Sequence, residues 1–254
     1  MRNIRMVISY DGTAYYGFQS QPSGNTIQDK LEEAIKALTG EQVKIISSGR
    51  TDAGVHARAQ VVNFFTASPI PVKRWCVALN SRLPRDIVIL DAIEISDDFH
   101  ARKSAKRKTY RYTINCSQVP DVFLGHMHCY HPRRLDWEQM RSALTYLIGE
   151  HDFTSFCTVS SLKENNVRTV YSATLTFEPS NLGEYEKLSG LIHIDITGSG
   201  FLHNMVRIIV GTLIQIGEGR RNASDMQQIL HARSRAAAGP TAIAQGLILW
   251  DVRY

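Results

Sequence analysis

The segment from Gly49 to His56 carries the densest set of reactive side chains in the sequence. It combines a cation (Arg50), a hydroxyl, a carboxylate (Asp52) and an imidazole with glycines that allow tight turns. Residues 43–47 and 59–65 have the composition of strands, so we predict a loop held at both ends by a sheet. Catalytic side chains are commonly placed on such loops. Asp-Ala-Gly is also an ordinary turn sequence, so these residues alone leave a catalytic and a structural role open.

The strands and helices that must position this loop follow the same order in both halves of the chain. The first half is predicted to contain a strand at 4–10, a helix from the cap Thr26 to Gly40, the two strands named above, a helix at 75–83 closed by Pro84, and a strand at 87–95. The second half is predicted to contain a strand at 108–114, a helix capped by Asp136, strands around 171–177 and 192–196, helices at 205–216 and 224–233, and a strand at 247–252.

These patterns predict an α+β protein built from two tandem ferredoxin-like β-α-β-β-α-β halves. The halves are expected at residues 1–104 and 105–254, with antiparallel sheets side by side around a basic cleft. The periodicity itself does not determine how the two sheets pack.

Cations are concentrated more strongly than the net charge indicates. The net charge of +5 and the pI near 9.0 weakly favour a polyanionic partner. The run from Arg102 to Arg111 interleaves cations with a tyrosine, which suits phosphate attraction and base stacking on RNA. A charge run of this kind can also be a plain solvated face. The candidates for contacts to an RNA backbone are Lys103, Lys106, Arg107, Lys108, Arg220 and Arg221.

The overall composition, with 43% hydrophobic and 21% charged residues, is typical of a soluble globular protein. No apolar run approaches the roughly 20 residues needed to cross a bilayer. The N-terminus has no apolar secretory core, so we predict a cytoplasmic protein without membrane contact. The four cysteines form no Cys-x-x-Cys pair, which is typical of free thiols in a reducing compartment.

A compact cluster of His126, His128, Cys129 and His131 is the group that most suggests a metal. Its spacing fits neither a zinc finger nor a zincin, so we predict a polar surface loop and no metal site. A zinc-dependent base-modifying enzyme built on this cluster is the alternative, and chelator treatment would separate the two hypotheses.

The segment from Gly49 to Ala57 resembles the active-site signature of the bacterial tRNA pseudouridine synthase A (TruA) family. Further motifs of that family are matched in the same order along nearly the whole chain. They are Tyr10–Thr13 with Tyr16–Pro22, Lys108–Tyr112, Asp152–Phe156, Gly200–Arg207 and Gly239–Leu247. One departure is Ile243, which stands where the last motif often carries a second proline. It bears on the path of the loop before Leu247 and not on the chemistry.

The resemblance implies roles for individual positions. Asp52 corresponds to the family's nucleophilic aspartate, and Arg50 to the arginine that enters the space vacated by a flipped base. Tyr110 corresponds to the aromatic residue that stacks on the target uracil, Arg207 to the basic residue that pairs with the catalytic carboxylate, and Leu247 to an apolar residue lining the uracil pocket. On pattern alone, Tyr110 and Leu247 would be core residues and Arg207 would pair with a structural acid.

The resemblance also implies a reaction: uridine is isomerised to pseudouridine in the anticodon stem-loop of tRNA (positions 38–40) by a homodimer that uses no cofactor. The residues suit this chemistry, because an arginine beside a carboxylate keeps the carboxylate ionised. Flipping a base costs a few kcal/mol, and an aromatic face that stacks on it returns roughly 1–3 kcal/mol. The alternative is a catalytically silent RNA-binding protein, although binding a polyanion would not favour Asp52.

Overall fold

The computed structural model describes residues 1–162, 164–179 and 190–254. These residues fall into two compact units, Met1–Lys106 with Ile248–Tyr254, and Arg107–Leu247. The division expected from the sequence placed the final strand with the second half, whereas residues 248–254 group with the first unit. No helix among the described residues is long and apolar enough to cross a membrane.

The first unit is an antiparallel sheet with two helices. Its elements are β1 (Arg2–Tyr10), α1 (Ile27–Thr39), β2 (Ile46–Ser47), β3 (His56–Thr66), α2 (Trp75–Asn80) and β4 (Ile87–Ile95). Strand β1 pairs antiparallel with both β3 and β4, and β2 pairs antiparallel with β3. The final strand β10 (Leu247–Arg253) runs parallel to β3, with Ile248 opposite His56. This is the predicted order of strands and helices, with β10 added beside β3.

Helix α1 has the predicted ends. The Thr26 hydroxyl accepts a hydrogen bond from the Asp29 backbone N–H, and the Asp29 carboxylate accepts one from the Thr26 N–H, which completes a capping box. Gly40 ends the helix in the left-handed conformation, with a φ of 77°. The apolar stripe that includes Leu31 and Ile35 is buried.

Several boundaries in the first unit differ from the prediction. Strand β2 covers only Ile46–Ser47 rather than 43–47, because the Ile45 N–H donates to the Glu32 carboxylate instead of to a strand. Helix α2 ends at Asn80, several residues before Pro84. A proline disfavours helical backbone at the residue before it, and residues 81–83 form a turn there. Strand β3 covers His56–Thr66 rather than 59–65, so the loop that carries Asp52 ends directly in a strand.

The second unit combines mainly antiparallel strands with three helices. Its elements are β5 (Arg107–Asn115), β6 (Cys129–Tyr130), α3 (Trp137–Thr145), β7 (Gly149–Asp152), β8 (Val167–Pro179), β9 (Gly190–Gly198), α4 (Met205–Gly217) and α5 (Asp225–Ala232). The strands lie in the order β5-β9-β8-β7, and β6 adds to β5 in parallel. The predicted strands and helices are present, and β6 and β7 are additional.

The core of the second unit lies between one face of its sheet and α3 and α4. Alternate residues of β9, such as Ile194, are fully buried, and so are most residues of α4. The Asp136 side chain caps α3 by accepting from the Gln139 N–H at 3.0 Å, as predicted. On the other face of the sheet, Arg111 makes a bidentate pair with Asp195.

Candidate active site

The loop between β2 and β3 is tied together at its base. The Ser48 N–H donates to the Val61 carbonyl at 2.8 Å, and the Gln60 side-chain amide donates to the Gly49 carbonyl at 2.9 Å. The Ser48 hydroxyl donates to Oε1 of the same Gln60 amide. Since Ser48 and Gln60 are both fully buried, the first residues of the loop have a fixed path.

Asp52 opens a tight turn within this loop. The Val55 N–H donates to the Asp52 carbonyl at 3.1 Å, and Gly54 adopts a φ of 74° at the position where such a turn needs it. The Asp52 side chain is half-buried, whereas Arg50, two residues earlier, is exposed. The carboxylate is therefore partly shielded from water and carried by a backbone that cannot readily shift.

The N-terminal motif braces the residue before Asp52. The Thr51 carbonyl accepts a hydrogen bond from the Phe18 N–H at 3.0 Å. The Thr51 side-chain hydroxyl lies 2.7 Å from the Tyr10 hydroxyl. Burial raises the pKa of the Tyr10 phenol above its ordinary value, so this hydroxyl stays protonated. Gly17 has a φ of 90°, and a Cβ there would lie 2.7 Å from the Thr51 carbonyl oxygen. The close approach of the two segments therefore requires glycine at this position.

The far end of the loop is braced by the same motif. A Cβ on Gly12 would overlap the Val55 carbonyl oxygen, so the two backbones are in direct contact. His56 is 1% exposed, and its Nδ1 lies 3.1 Å from the Gly12 nitrogen and 3.0 Å from Asp11 Oδ1. One ring nitrogen cannot serve both partners at once: unprotonated it accepts from the Gly12 N–H, and protonated it donates to Asp11. In either state His56 joins the two motifs, a role the sequence did not indicate.

In the second unit, Arg207 lies in the first turn of α4 and its guanidinium is oriented by two hydrogen bonds. Its Nε donates to the Ala242 carbonyl at 2.8 Å and its Nη1 donates to Asn204 Oδ1 at 2.8 Å. The Ala242 N–H in turn donates to the Arg207 carbonyl at 3.0 Å. A Cβ on Gly211 would overlap the Pro240 carbonyl oxygen, so α4 and the segment from residue 239 to 242 are in backbone contact.

The other two expected residues of the second unit are well packed. Tyr110 on β5 is 8% exposed, and Phe201 meets its ring edge-on at 5.0 Å. Leu247 is 5% exposed at the start of β10. The loop before it has a fixed path despite the departure at Ile243, because the Tyr112 hydroxyl donates to the Ile243 carbonyl at 3.0 Å.

A family model described as tRNA pseudouridine synthase matches residues 6–102 and 143–254. The chain belongs to this family. Three relatives named tRNA pseudouridine synthase A align with the whole chain over their own full length: they are 46% identical over 255 residues in Brevibacillus brevis, 46% over 254 in Acetivibrio thermocellus and 47% over 254 in Caldicellulosiruptor bescii.

As a tRNA pseudouridine synthase, the protein is an isomerase that acts on tRNA. Asp52, Arg207 and Leu247 lie inside the matched ranges, while Tyr110 lies between them. Among solved structures, "Crystal Structure of a Cbf5-Nop10-Gar1 Complex" is 12% identical with a TM-score of 0.32, covering 84% of this chain and 45% of its own. That likeness is too low to bear on the fold.

The brace between the first two motifs of the synthase can be tested with two glycines that share a positive φ. Gly17 approaches the backbone before Asp52, whereas Gly24 has a φ of 66° and no atom within 4 Å of an added Cβ. We expect Gly24→Ala to lose about 1 kcal/mol of stability, because alanine is strained in this conformation. Gly17→Ala should lose more, because its added Cβ would also meet the Thr51 carbonyl oxygen. Only Gly17→Ala is expected to lower kcat, by about tenfold to a hundredfold, because it displaces the loop that carries Asp52. Thermal unfolding measures the loss of stability, and pseudouridine formation measures kcat. Equal activities of the two variants would show that the contact between Gly17 and the Asp52 loop is not needed for turnover.

The predicted RNA-contacting cations differ in how accessible they are. Lys103, Lys106 and Arg107 are exposed, and Lys108 is half-buried. Arg107 stacks on the Tyr171 ring at 4.8 Å.

The two predicted cations after α4, Arg220 and Arg221, also differ in accessibility. Arg220 is exposed and pairs with Glu218 at 3.1 Å. Arg221 is half-buried and donates to the Gln215 side chain and the Ala237 carbonyl, so it stabilises the protein and is the least suited to binding a phosphate.

The histidine cluster has a packed rather than an open setting. His128 and His131 are half-buried, and burial lowers the pKa of both rings. Cys129 is buried on β6. Among the described residues, no group of three or more His, Cys, Asp or Glu side chains is arranged to hold a metal ion.

Proposed function

We propose that the protein isomerises uridine to pseudouridine in the anticodon stem-loop of tRNA, at positions 38–40, with Asp52 as the nucleophile. The observation that most supports this is the setting of Asp52, a half-buried carboxylate on a turn braced from both sides. A carboxylate repels phosphate, so a protein that only bound RNA would gain nothing from holding one in this way. The braced loop therefore favours catalysis over silent binding.

The reaction balances without any added reagent. The bond between ribose C1′ and uracil N1 breaks, the base turns, and a bond forms between C1′ and C5. The C5 proton leaves to solvent, and N1 gains one. The carboxylate of Asp52 can add to uracil C6 or to ribose C1′, and it is released unchanged by either route. Because no oxidant, reductant or water is consumed, we propose that no cofactor or metal takes part.

The target base must leave the helix stack before a carboxylate can reach it, at a cost of a few kcal/mol. Arg50 is long, exposed and two residues from Asp52, which suits it to fill the vacated space. Tyr110 is proposed to stack on the extruded uracil, and the edge-on packing of Phe201 would keep its ring rigid. Leu247 is proposed to line the uracil pocket.

Arg207 is proposed to pair with the Asp52 carboxylate during the reaction. A guanidinium stays charged and offers a planar set of donors that matches a carboxylate. Its two hydrogen bonds to Ala242 and Asn204 support this role, since they fix the plane of the donors.

We also infer that both halves have ferredoxin-like topology and that the enzyme is a homodimer. The antiparallel path β4-β1-β3, with β2 beyond β3, supports the first inference for the first unit. The homodimer follows from the family resemblance alone. Sedimentation of the purified protein at the mass of one chain would overturn it.

Tritium release tests the proposed function directly. An unmodified tRNA labelled at C5 of uridine should release tritium on incubation with the enzyme alone, because C5 loses its hydrogen when the new bond forms. The rate should be unchanged by EDTA, and a transcript with cytidine at positions 38–40 should release none. No release from the first transcript would overturn the proposal, and loss of activity with EDTA would favour the zinc-dependent alternative.

A further inference from the structure

We propose that Asn204 is a positioning residue for the reaction, which holds the Arg207 guanidinium and is itself held by Thr158. The inference rests on the proposed function, in which Arg207 pairs with the catalytic carboxylate. It links the Gly200–Arg207 and Gly239–Leu247 motifs, which both contact the Arg207 side chain, to Thr158, which follows the Asp152–Phe156 motif.

The Asn204 carboxamide lies between two partners. Its Oδ1 accepts from Arg207 Nη1 at 2.8 Å, and its Nδ2 donates to Thr158 Oγ1 at 2.8 Å. Arginine can only donate, so the atom that faces it must be the carboxamide oxygen. The nitrogen then necessarily faces Thr158. The two hydrogen bonds therefore define the orientation of the amide.

The backbone of Asn204 also indicates a specialised position. It has a φ of 61° and a ψ of 8°, a left-handed conformation that asparagine tolerates better than most residues. Asn204 precedes α4, where an asparagine side chain ordinarily accepts from the N–H groups of the first turn. It makes no such cap bond here. The side chain is turned to Arg207 instead of stabilising its own helix.

Thr158 is firmly placed by the motif that precedes it. Residues Thr154–Phe156 form a short 3-10 helix in which Phe156 is fully buried. The Ser155 hydroxyl donates to the Ile229 carbonyl at 2.6 Å, which anchors this turn to α5. The Thr158 N–H then donates to the His203 carbonyl at 3.3 Å. The Asp152–Phe156 motif therefore sets the position of Thr158, and through it that of Asn204.

The guanidinium of Arg207 is thus held at Nε by Ala242 and at Nη1 by Asn204. Two bonds at different nitrogens fix both the direction and the plane of the group. A long side chain held at one point would keep much of its rotamer freedom and would have to lose it during the reaction. Asn204 is expected to matter for turnover more than for tRNA binding.

Asn204→Gly isolates the carboxamide, because glycine accepts the left-handed backbone without strain. We expect kcat to fall by about tenfold to a hundredfold, the scale of a hydrogen bond to a charged group. KM for tRNA should stay within about threefold, since the phosphate-binding cations are untouched. Asn204→Asp keeps the acceptor for Arg207 but loses the donor to Thr158 and adds a charge that competes for Arg207, so it should also be slow.

Thr158 provides a matched pair of variants. Thr158→Val keeps the shape of the side chain and removes the hydroxyl, so kcat should fall. Thr158→Ser keeps the hydroxyl, so activity should return toward the wild-type value. Equal activities of the valine and serine variants would show that the Thr158 hydroxyl does not help Asn204 to hold Arg207.

A double-mutant cycle separates positioning from a purely structural role. If Asn204 acts through Arg207, adding Asn204→Gly to Arg207→Ala should lower kcat no further. Independent, multiplied losses would overturn the proposal, as would normal turnover by Asn204→Gly. Normal turnover by Arg207→Ala would instead overturn the role given to Arg207 in the proposed function. The two failures are therefore distinguishable.

Discussion

Asp52→Asn is expected to bind unmodified tRNA like the wild type and to release no tritium from it. The amide has the shape of the carboxylate but cannot act as a nucleophile. We expect kcat to fall by about four orders of magnitude or more, the scale seen when a nucleophile is removed. The Kd for tRNA should change by less than about threefold, because the substitution removes no cation and phosphate attraction depends on the cations.

Two further variants serve as controls for Asp52→Asn. Asp98→Asn removes an exposed carboxylate of the same unit and should be fully active. Asp52→Ala guards against slow deamidation of the introduced asparagine, which would regenerate the enzyme. Steady turnover by Asp52→Ala at a substantial fraction of the wild-type rate would mean that Asp52 is not the nucleophile.

Gly211→Ala is expected to be the most damaging glycine substitution in the second unit. The added methyl group would overlap the Pro240 carbonyl oxygen, so α4 and the segment after residue 239 must separate. We expect a loss of about 3 kcal/mol in the free energy of unfolding, or roughly 6–12 °C in Tm. Turnover should fall as well, because the same segment carries the Ala242 carbonyl that holds Arg207.

Gly200→Ala is the matched control for Gly211→Ala, because both glycines lie near Arg207 in sequence. The nearest atoms to a Cβ on Gly200 belong to the Arg168 side chain, at 3.9 Å. That separation is an ordinary van der Waals contact, so Tm should change by only a few degrees. Thermal denaturation followed by circular dichroism measures both variants, and similar Tm values would show that α4 can move away from Pro240 at little cost.

The elements that were predicted well are those with local signals. The capping box at Thr26 and the glycine at residue 40 define α1 within the sequence itself, and β4 has a clear strand pattern from Ile87 to Ile95. Strands β6 and β7 were missed, because two residues give no periodicity and the β7 sequence Gly-Glu-His-Asp has no apolar alternation. Such strands exist only through their partners, which lie far away in the chain.

The candidate site also contains features with local sequence signals and features that depend on contacts between distant residues. Asp52 and its loop could be found from residue types and motif resemblance, and the position of the loop between strands was predicted. The contacts that brace this loop could not be predicted, because Gly17 and Thr51 meet only after the chain has folded. Asn204 was part of a recognised motif, yet nothing in the sequence showed that its side chain faces Arg207 rather than its own helix.

The pairing of β10 with β3 has a consequence for how the protein is made. The strand that follows the Asp52 loop is synthesised early, but its neighbour at Ile248 and Leu249 leaves the ribosome only after the whole second unit. Until then, one edge of β3 has unpaired backbone groups, which is a hazard for misassociation. The half of the enzyme that is translated first is therefore completed last, and a nascent chain released before residue 248 would carry the Asp52 loop on an unfinished sheet.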